Sequence, residues 1–316
     1  MAKILITGAT GHIGSYLIKN LGKTLTDLNI YILDNMSTGR YCSLFNLPSY
    51  SLYKFLHLDL TKCSINEIPK TDFVIHLAAK TDAAQSAKFK DEFYTNNLES
   101  TKKIIEYVKK SNSKLLFASS TSVYGPQSDL VDEYCTEKEL NPQSPYARVK
   151  LEEEKLIEST FKKENNKYLI LRLGTIYGFA PGIRFHTAVN KFCFQASLGL
   201  PVTVWKTAYE QKRPYLGLYD LNSALAHIIE KKLINNETYN LVSYNLKVRE
   251  IIDIIKLKLQ FSIKYVDHEI MNQLSYEVSN RKFINTNFKF TSDINNEIFE
   301  TLDNIQNLNL KNIISN

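Results

Sequence analysis

Cysteine is scarce in this sequence, and the four that occur share neither a Cys-x-x-Cys spacing nor a histidine pairing typical of metal ligands. That pattern excludes a dense disulfide framework and a zinc site, so we expect reduced thiols and no bound metal. Long apolar runs are absent too: no stretch approaches the roughly 20 residues that cross a bilayer, and the N-terminus lacks a signal-peptide pattern. We therefore expect a soluble, cytoplasmic protein that does not bind a membrane. The four cysteines are Cys42, Cys63, Cys135 and Cys193.

The chain also has only a small excess of charge of one sign. The 39 Lys and Arg against 33 Asp and Glu leave a formal net charge of +6, and no basic stripe forms along the chain. This distribution gives nucleic-acid binding little support, whereas a mild positive excess suits an anionic small substrate such as a sugar nucleotide. The length of 316 residues fits one large α/β domain or a main domain with a smaller annex.

The most informative stretch is KILITGATGHIG, residues 3–14. Its Ile-Leu-Ile run is typical of a strand buried on both faces of a parallel sheet. In the Gly-x-x-Gly-x-x-Gly pattern that follows, Gly8 permits a tight turn, Gly11 lets the backbone approach a phosphate, and Gly14 lets the next helix pack on the strand. Because a helix N-terminus binds pyrophosphate, we predict a dinucleotide site here. Its expected cofactor contacts are Gly8, Gly11, His12, Ile13 and Gly14.

A second predicted strand, residues 29–33, ends on Asp34. An acid at this distance from the glycine turn binds the adenosine ribose hydroxyls and repels a 2′-phosphate, so it favours NAD over NADP. The predicted cofactor site is completed by polar or small residues that follow this strand and two later strands. It also includes Asn97, which we expect to point inward from a helix at 91–110. These further contacts are Asn35, Ser37, Thr38, Asp59, Leu60, Leu77, Ala78 and Ala79.

Strands and helices alternate regularly over the first part of the chain, with further strands predicted at 53–58, 72–76, 114–118 and 167–173. This alternation predicts an α/β fold with a doubly wound parallel sheet of the Rossmann type. We expect an NAD-binding domain at 1–178 and a smaller substrate-binding domain at 179–316, with some segments near 214–245 returning to the main sheet. The Asn-rich segment after about residue 291 is weakly patterned and is expected to be partly mobile.

The predicted chemistry centres on hydroxyl groups after the fifth strand and on a Tyr146-x-x-x-Lys150 pair. Residues four apart lie on one face of a helix, and an ammonium beside a phenol favours the phenolate, which can then act as a general acid/base. Such a spacing arises by chance in many helices, but its place behind the glycine turn and Asp34 favours a catalytic role. By contrast, His76 is interpreted as a packed strand-end histidine, and Glu152–Glu154 as a solvated helix face.

Taken together, these motifs resemble the extended short-chain dehydrogenase/reductase family, in the nucleotide-sugar epimerase/dehydratase branch typified by UDP-galactose 4-epimerase. They follow one another in order through roughly the first 180 residues. The matching stretches are TGATGHIG (7–14), DNMSTG (34–39), HLAA (76–79), Asn97, SS (119–120), VYG (123–125), SPY (144–146) with Lys150, LRL (171–173) and YG (177–178).

The resemblance implies roles for particular residues. Tyr146 would be the acid/base, Lys150 would bind the cofactor ribose and favour the phenolate, and Ser120 would hydrogen-bond the reacting sugar oxygen with Thr121 as its assistant. Asn97 would support the lysine through a hydrogen-bond chain, and Arg213 would bind the substrate diphosphate. A homodimer through two helices per subunit, at 91–110 and 146–165, is implied by the resemblance alone.

The sequence also departs from the family pattern. Sugar 4,6-dehydratases carry Asp and Glu directly after the catalytic hydroxyl residue, where this chain has Thr121 and Ser122, so the resemblance argues against dehydration. Thr175 replaces a substrate-binding Asn and Thr81 replaces a lysine, which places both changes at the sugar and phosphate end. Residues 182–186 and 189–192, including Asn190, are expected to line that end. His186 could touch substrate, but we interpret it as an ordinary surface or packing histidine.

Three functions remain open from the sequence. The favoured one is an NAD-dependent nucleotide-sugar epimerase that oxidises the sugar transiently, at C4, and then returns the hydride to the other face. A dehydrogenase or ketoreductase carrying out only half of that reaction would share every motif. A dinucleotide-sensing module without catalysis is the third, although it would not need Ser120, Tyr146 and Lys150 together.

Overall fold

The chain folds around a parallel sheet, as seen in a computed structural model that describes residues 2–81, 83–127, 130–163, 167–267 and 275–308. The strands are β1 (Ala2–Thr7), β2 (Leu28–Asp34), β3 (Ser51–His57), β4 (Phe73–His76), β5 (Lys114–Ser120), β6 (Leu130–Val131), β7 (Tyr168–Leu173), β8 (Thr175–Tyr177), β9 (Val202–Trp205), β10 (Lys212–Gly217), β11 (Glu237–Leu241), β12 (Tyr244–Lys247), β13 (Ile263–Val266) and β14 (Glu277–Val278). The helices are α1 (His12–Thr24), α2 (Ala83–Lys88), α3 (Lys90–Ser111), α4 (Pro145–Phe161), α5 (Ala188–Ser197), α6 (Leu218–Glu230), α7 (Val248–Lys256), α8 (Arg281–Ile284) and α9 (Ile294–Asn307).

Seven strands form the main sheet, in the order β11-β7-β5-β4-β1-β2-β3, and every pairing in it is parallel. Successive residues of the central strand β1 point to opposite faces, which explains its unbroken apolar run. Ile4 and Ile6 pack in the core with α1 and α6, whereas Leu5 packs in the core with α3 and α4. The prediction of a doubly wound α/β sheet is confirmed.

A second, smaller layer lies beyond the carboxyl ends of these strands. It contains a three-stranded sheet in the order β12-β10-β8 and the two-stranded sheet β13-β9. Residues of α5, α7 and α9 share a separate apolar core with Val202 and Val204 of β9. The two layers do not divide cleanly at residue 178. Strand β8 precedes that residue but pairs with β10 of the second layer, and β11 follows it but pairs with β7 of the main sheet. Within the span 214–245, β11 joins the main sheet while β10 does not.

Part of the segment after residue 291 is regular, because residues 294–307 form the helix α9, whereas residues 309–316 lie outside the described residues. Asp293 caps this helix by accepting hydrogen bonds from the backbone N–H groups of Asn295 and Asn296. Its apolar side chains Ile298, Leu302 and Ile305 are buried in the second core. Among the described helices, none is both long and apolar enough to cross a bilayer.

Candidate active site

The glycine turn connects β1 to α1 at the carboxyl edge of the sheet. Gly8 has φ +64°, and a Cβ there would lie 2.8 Å from the backbone of Ala78. A Cβ on Gly14 would lie 2.5 Å from the Cα of Ala9, so the helix packs on the strand only because that position lacks a side chain. Gly182 presses on the turn from the other side, where its N–H donates to Ser15 Oγ over 2.9 Å.

Asp34 closes β2 beside this turn. Its Oδ2 accepts from the N–H of Thr10 at 3.0 Å, and its Oδ1 accepts from the N–H of Met36 at 2.8 Å. The carboxylate is therefore fixed against the glycine turn, and the residue lines a cavity of about 530 Å³. We call this the Asp34 cavity. Of the predicted cofactor residues it contains Gly8, Gly11, Asp34, Asn35, Ser37, Thr38, Asp59, Leu60, Leu77, Ala78 and Ala79.

A second cavity of about 460 Å³ adjoins the first across the glycine turn, and Thr81 and Arg184 line both. It lies between the ends of the main strands and the second layer. We call it the Tyr146 cavity. Of the predicted residues it contains Gly8, Gly11, His12, Ile13, Gly14, Leu77, Ala79, Thr81, Ser120, Tyr146, Lys150, Thr175, His186 and Arg213.

The Tyr-Lys pair sits in the first two turns of α4. Ser144 caps the helix, its Oγ accepting from the N–H of Ala147 at 3.1 Å, and Pro145 occupies the first turn. Tyr146 and Lys150 follow on one face, toward the Tyr146 cavity. The Lys150 side chain is 4% exposed, and its Nζ lies 3.1 Å from Glu153 Oε2 and 4.5 Å from the ring centroid of Phe117.

Ser120 ends β5 at the edge of the same cavity. Its Oγ accepts two hydrogen bonds, from the N–H of Ser122 at 3.2 Å and from Ser122 Oγ at 2.9 Å. With both of these bonds accepted, the hydroxyl proton of Ser120 is available to be donated to a ligand oxygen. A hydroxyl donor, a phenol and an ammonium therefore line one cavity, which is a set of groups suited to moving a proton on a hydroxyl or carbonyl oxygen.

The Tyr146 cavity is cationic. Its lining includes Lys150, Arg184, Lys191 and Arg213, and none of its described lining residues is Asp or Glu. Burial lowers the pKa of both Lys191 and Arg213. An anionic ligand would offset these buried charges.

Several predicted site residues hold the site together instead of lining a cavity. Asn97 is fully buried, donating to the carbonyl of Lys80 at 3.0 Å and accepting from its N–H at 2.8 Å, so its described bonds fix the loop after β4 and do not reach Lys150. Asn190 is also fully buried, accepting from the N–H of Gly178 at 3.2 Å and donating to the carbonyl of Arg184 at 3.1 Å. Thr121 is 2% exposed, and its Oγ1 lies 3.5 Å from Tyr276 Oη.

Two histidines also hold elements of the site together, and one of them, His12, lines the Tyr146 cavity as well. His12 Nε2 donates to the carbonyl of Gly178 at 2.8 Å, which joins the start of α1 to the second layer. Burial lowers the pKa of His12 to about 3, and burial with the nearby Lys150 charge lowers that of His76 to about 3. Both rings are therefore neutral near pH 7, and the interpretation of His76 as a packed histidine is confirmed by its 2% exposure.

The interpretation of Glu152–Glu154 as a solvated face is wrong for two of the three residues. Glu153 is 0% and Glu154 is 2% exposed, while Glu152 is exposed. Glu154 forms a bidentate ion pair with Arg172, with N–O distances of 2.7 Å to 3.2 Å. Sequence reasoning also missed Trp205, which lines the Tyr146 cavity, and Tyr276, whose ring centroid lies 5.5 Å from the Arg213 guanidinium.

Comparison with curated proteins and solved structures places this site in context. A dTDP-D-glucose 4,6-dehydratase from Dictyostelium discoideum is 32% identical over 257 residues, which span 76% of this chain and 58% of that protein. An uncharacterized UDP-glucose epimerase from Bacillus subtilis is 27% identical over 76% of each chain. The chain thus matches little more than half the length of the first relative and about three quarters of the second.

Among solved structures, a UDP-N-acetylglucosamine 4-epimerase from Methanobrevibacter ruminantium matches with a TM-score of 0.84 and 24% identity, covering 98% of this chain and 99% of that one. A Thermus thermophilus UDP-glucose 4-epimerase, solved with NAD, matches with a TM-score of 0.81 and 21% identity over 96% and 99%. At this level of identity the likeness shows a shared fold. The family model of NAD-dependent epimerases/dehydratases matches residues 4–241, and the chain therefore belongs to that family.

Proposed function

We propose that this protein is an NAD-dependent nucleotide-sugar epimerase that inverts the sugar at C4. The observation that carries the proposal is the convergence of Ser120, Tyr146 and Lys150 on one cavity that adjoins the glycine turn. When bound, NAD supplies a hydride acceptor that later returns the hydride. A relative named as an uncharacterized UDP-glucose epimerase and two structural neighbours named as 4-epimerases support the choice of reaction.

The residues present fit that cofactor. The Asp34 cavity offers a carboxylate for ribose hydroxyls, and the start of α1 lines the Tyr146 cavity, where its backbone N–H groups can bind a pyrophosphate. The Tyr146 cavity then continues from the glycine turn to the phenol. We propose that Asp34 binds the adenosine ribose and Lys150 the ribose nearer Tyr146.

In the proposed mechanism the Tyr146 phenolate takes the proton of the C4 hydroxyl as the C4 hydride leaves. Ser120 donates a hydrogen bond to the same oxygen, which becomes a carbonyl oxygen in the keto sugar. Lys150 holds positive charge beside the phenol through both half-reactions. After the keto sugar has turned, the hydride returns to the opposite face of C4 and Tyr146 gives its proton back to the oxygen.

The cationic lining supports a nucleoside diphosphate sugar as the substrate class. A diphosphate brings about two negative charges, and Arg184, Lys191 and Arg213 can offset them. We propose Arg213 as the principal diphosphate ligand, with Thr81 and Thr175 near the phosphate and sugar ends. Because these three cations exceed the charge of a diphosphate, a substrate panel needs an anionic sugar as well as neutral ones.

Dehydration is the first competing hypothesis, since the Dictyostelium relative is named as a dehydratase. Elimination of water needs an acid beside the reacting sugar, and the residues after Ser120 are Thr121 and Ser122. Neither side chain is a carboxylic acid, and Thr121 is buried. This favours epimerisation, or a dehydrogenase or ketoreductase that stops after one hydride transfer.

The test incubates the full chain and NAD with UDP-glucose, UDP-N-acetylglucosamine, UDP-glucuronic acid and dTDP-glucose, following sugar stereochemistry by NMR and NADH by absorbance. We expect one sugar to reach an epimer equilibrium without lasting NADH, and a deuterium at C4 to be retained in the product. Lasting NADH without an epimer would identify a dehydrogenase, and loss of a 6-hydroxyl would identify a dehydratase.

Substitution of Tyr146 separates catalysis from cofactor sensing. Tyr146→Phe should lower turnover by about 10²- to 10⁴-fold because it removes the acid/base, while NAD still binds. The matched control is Tyr134→Phe, since Tyr134 is 75% exposed and lies outside the Tyr146 cavity. Equal rates for the two variants would remove Tyr146 from the mechanism.

Three further sequence predictions stay proposals: the domain division at residue 178, the cytoplasmic location and the homodimer. For the homodimer, α3 and α4 pack against each other within one chain, and their outer faces carry exposed residues such as Tyr94 and Glu152. Light scattering after size exclusion tests whether two chains associate. Residues 164 and 165, at the end of the predicted second dimer helix, lie outside the described residues.

A further inference from the structure

The ammonium of Lys150 contacts a buried carboxylate. Glu153 lies one turn further along α4, its side chain is 0% exposed, and its Oε2 is 3.1 Å from Lys150 Nζ. Two oppositely charged groups buried in contact hold each other in place, because separating them would leave an unpaired buried charge. The geometry of Lys150 thus depends on Glu153 as well as on the cavity.

The Glu153 carboxylate is held in turn by α3, which hydrogen bonds link to β4 and β1. Its Oε1 accepts a short hydrogen bond from Thr101 Oγ1 on α3. Thr101 Oγ1 lies 3.1 Å from His76 Nε2 on β4, and His76 Nδ1 lies 2.7 Å from Thr7 Oγ1 on β1. A line of buried polar groups therefore runs from the strand before the glycine turn to the lysine of the Tyr-Lys pair.

The direction of these hydrogen bonds follows from their chemistry. An ionised carboxylate only accepts, so Thr101 donates to Glu153 and its oxygen accepts from His76 Nε2–H. The other ring nitrogen then accepts from Thr7. This arrangement requires a neutral histidine, in agreement with the lowered pKa of His76. All the donors thus point toward one ionised end, at Glu153.

Other charged groups near this pair leave Glu153 as the direct partner of Lys150. Glu154, the next residue, is bound by Arg172 on β7 and by Ser119 Oγ on β5. Glu152 is exposed on the outer face of α4. Neutral His76 from β4 and Thr101 from α3 adjoin the Lys150–Glu153 pair, with the Glu154–Arg172 pair alongside. On the cavity side, Tyr146 and Lys150 share their lining with His186 and with the cations Arg184, Lys191 and Arg213.

We propose that Glu153 is a positioning residue for Lys150, and that its negative charge offsets part of the ammonium's field and so sets the pH range in which Tyr146 acts. The inference rests on the proposed function only for the role of Tyr146. A carboxylate in contact with an ammonium weakens the attraction of that ammonium for a phenolate. Removing the charge at Glu153 should therefore favour the phenolate at lower pH.

The first test reads the phenol itself and needs no substrate. Ultraviolet difference titration of the full chain minus its Tyr146→Phe variant isolates the ionisation of Tyr146 from that of the other tyrosines. The same difference is then measured after Glu153→Gln has been introduced into both the original chain and its Tyr146→Phe variant. We expect the midpoint to fall by about one pH unit, the lower end of the usual effect of a neighbouring charge. An unchanged midpoint would overturn the proposal.

Matched variants separate charge from packing. Glu152→Gln removes the same charge from the adjacent exposed position and should leave the midpoint unchanged, while Glu153→Asp, which keeps the carboxylate, should restore most of the original value. With a sugar that turns over, the acid limb of the pH–rate profile should shift in Glu153→Gln as the titration does. A uniform loss of rate at every pH, without a shifted limb, would mean that Glu153 only packs. If no sugar reacts, the proposed function fails while the titration still decides the role of Glu153.

Discussion

Buried carboxylates have different neighbours in the two layers of this molecule. In the main layer Glu153 and Glu154 each contact a buried cation, Lys150 and Arg172 respectively. In the second layer Glu297 of α9 lies beside Asp220, and no described lysine or arginine forms an ion pair with it. Burial raises the pKa of Glu297 to about 8, so it holds a proton near neutral pH.

The difference shows where the fold keeps charge in its interior. The paired carboxylates adjoin the Tyr-Lys pair, where a fixed field is useful, whereas Asp220 on α6, next to Glu297, is satisfied by neutral donors. Its oxygens accept from Ser243 Oγ, Ser292 Oγ and the N–H groups of residues 291 and 292. Loss of a partner should therefore cost most in the main layer, and changes of pH should act through Glu297 in the second.

Breaking the Glu154–Arg172 pair is the most severe test of this comparison. Arg172→Met leaves Glu154 ionised and buried without its cation, so we expect the free energy of unfolding to fall by about 3 to 5 kcal/mol. Urea unfolding measures the loss. The double variant Arg172→Met, Glu154→Leu should recover most of it, because both charges are then gone. A double variant as unstable as the single one would mean that lost packing outweighs the charge.

The outcome for Glu153 and Glu154 also shows what a sequence can and cannot predict here. The doubly wound sheet and the placement of Ser120, Tyr146 and Lys150 near a glycine turn follow from local patterns, since strand runs and glycine spacing are encoded within a few residues. Three consecutive glutamates form an equally local pattern, yet two of them are buried. Arg172, the partner of Glu154, lies 18 residues away, and that contact exists only after the sheet has formed.

The segment at 294–307 was missed for a different reason. Its apolar residues Ile294, Ile298, Leu302 and Ile305 recur at helical spacing, and Asp293 is a suitable N-cap, so the signal for α9 was present among the asparagines. The roles of Asn97 and Asn190 could not be predicted in this way. An amide that fixes a loop and one that binds a ligand look alike until their hydrogen-bond partners are known.

The second prediction concerns Glu297. Because its folded-state pKa is raised from 4.5 to about 8, its contribution to stability is fully present below pH 4.5 and is lost as pH rises through 8. Glu297→Gln carries no titrating proton and should be more stable than the original chain at pH 8 by about 2 to 4 kcal/mol. Urea unfolding at pH 4.5 and 8 measures this difference. A parallel loss in both proteins would show that Glu297 is ionised in the fold.

The third prediction turns to the neutral histidine beside the glycine turn. Since burial lowers the pKa of His12 from 6.5 to about 3, its contribution to stability is present above pH 6.5 and is lost as pH falls through 3. His12→Gln keeps a donor for the Gly178 carbonyl, so we expect its acid-side stability profile to be flatter by about 1.4 kcal/mol per pH unit. Thermal melts across this range make the comparison, with exposed His57→Gln as the control.

The smallest expected effect comes from an exposed ion pair with a similar contact distance. Lys206 Nζ lies 2.9 Å from Asp267 Oδ2, close to the 2.7 Å of the Arg172–Glu154 pair, but its side chains are 57% and 80% exposed. Water screens both charges, so Asp267→Asn should change the free energy of unfolding by no more than about 0.5 kcal/mol, and less in salt. Comparing the urea unfolding of this variant with that of Arg172→Met separates the effect of contact distance on stability from the effect of burial. If Asp267→Asn destabilised the chain as much as Arg172→Met does, the contact distance and not the surroundings would determine what a charge pair contributes.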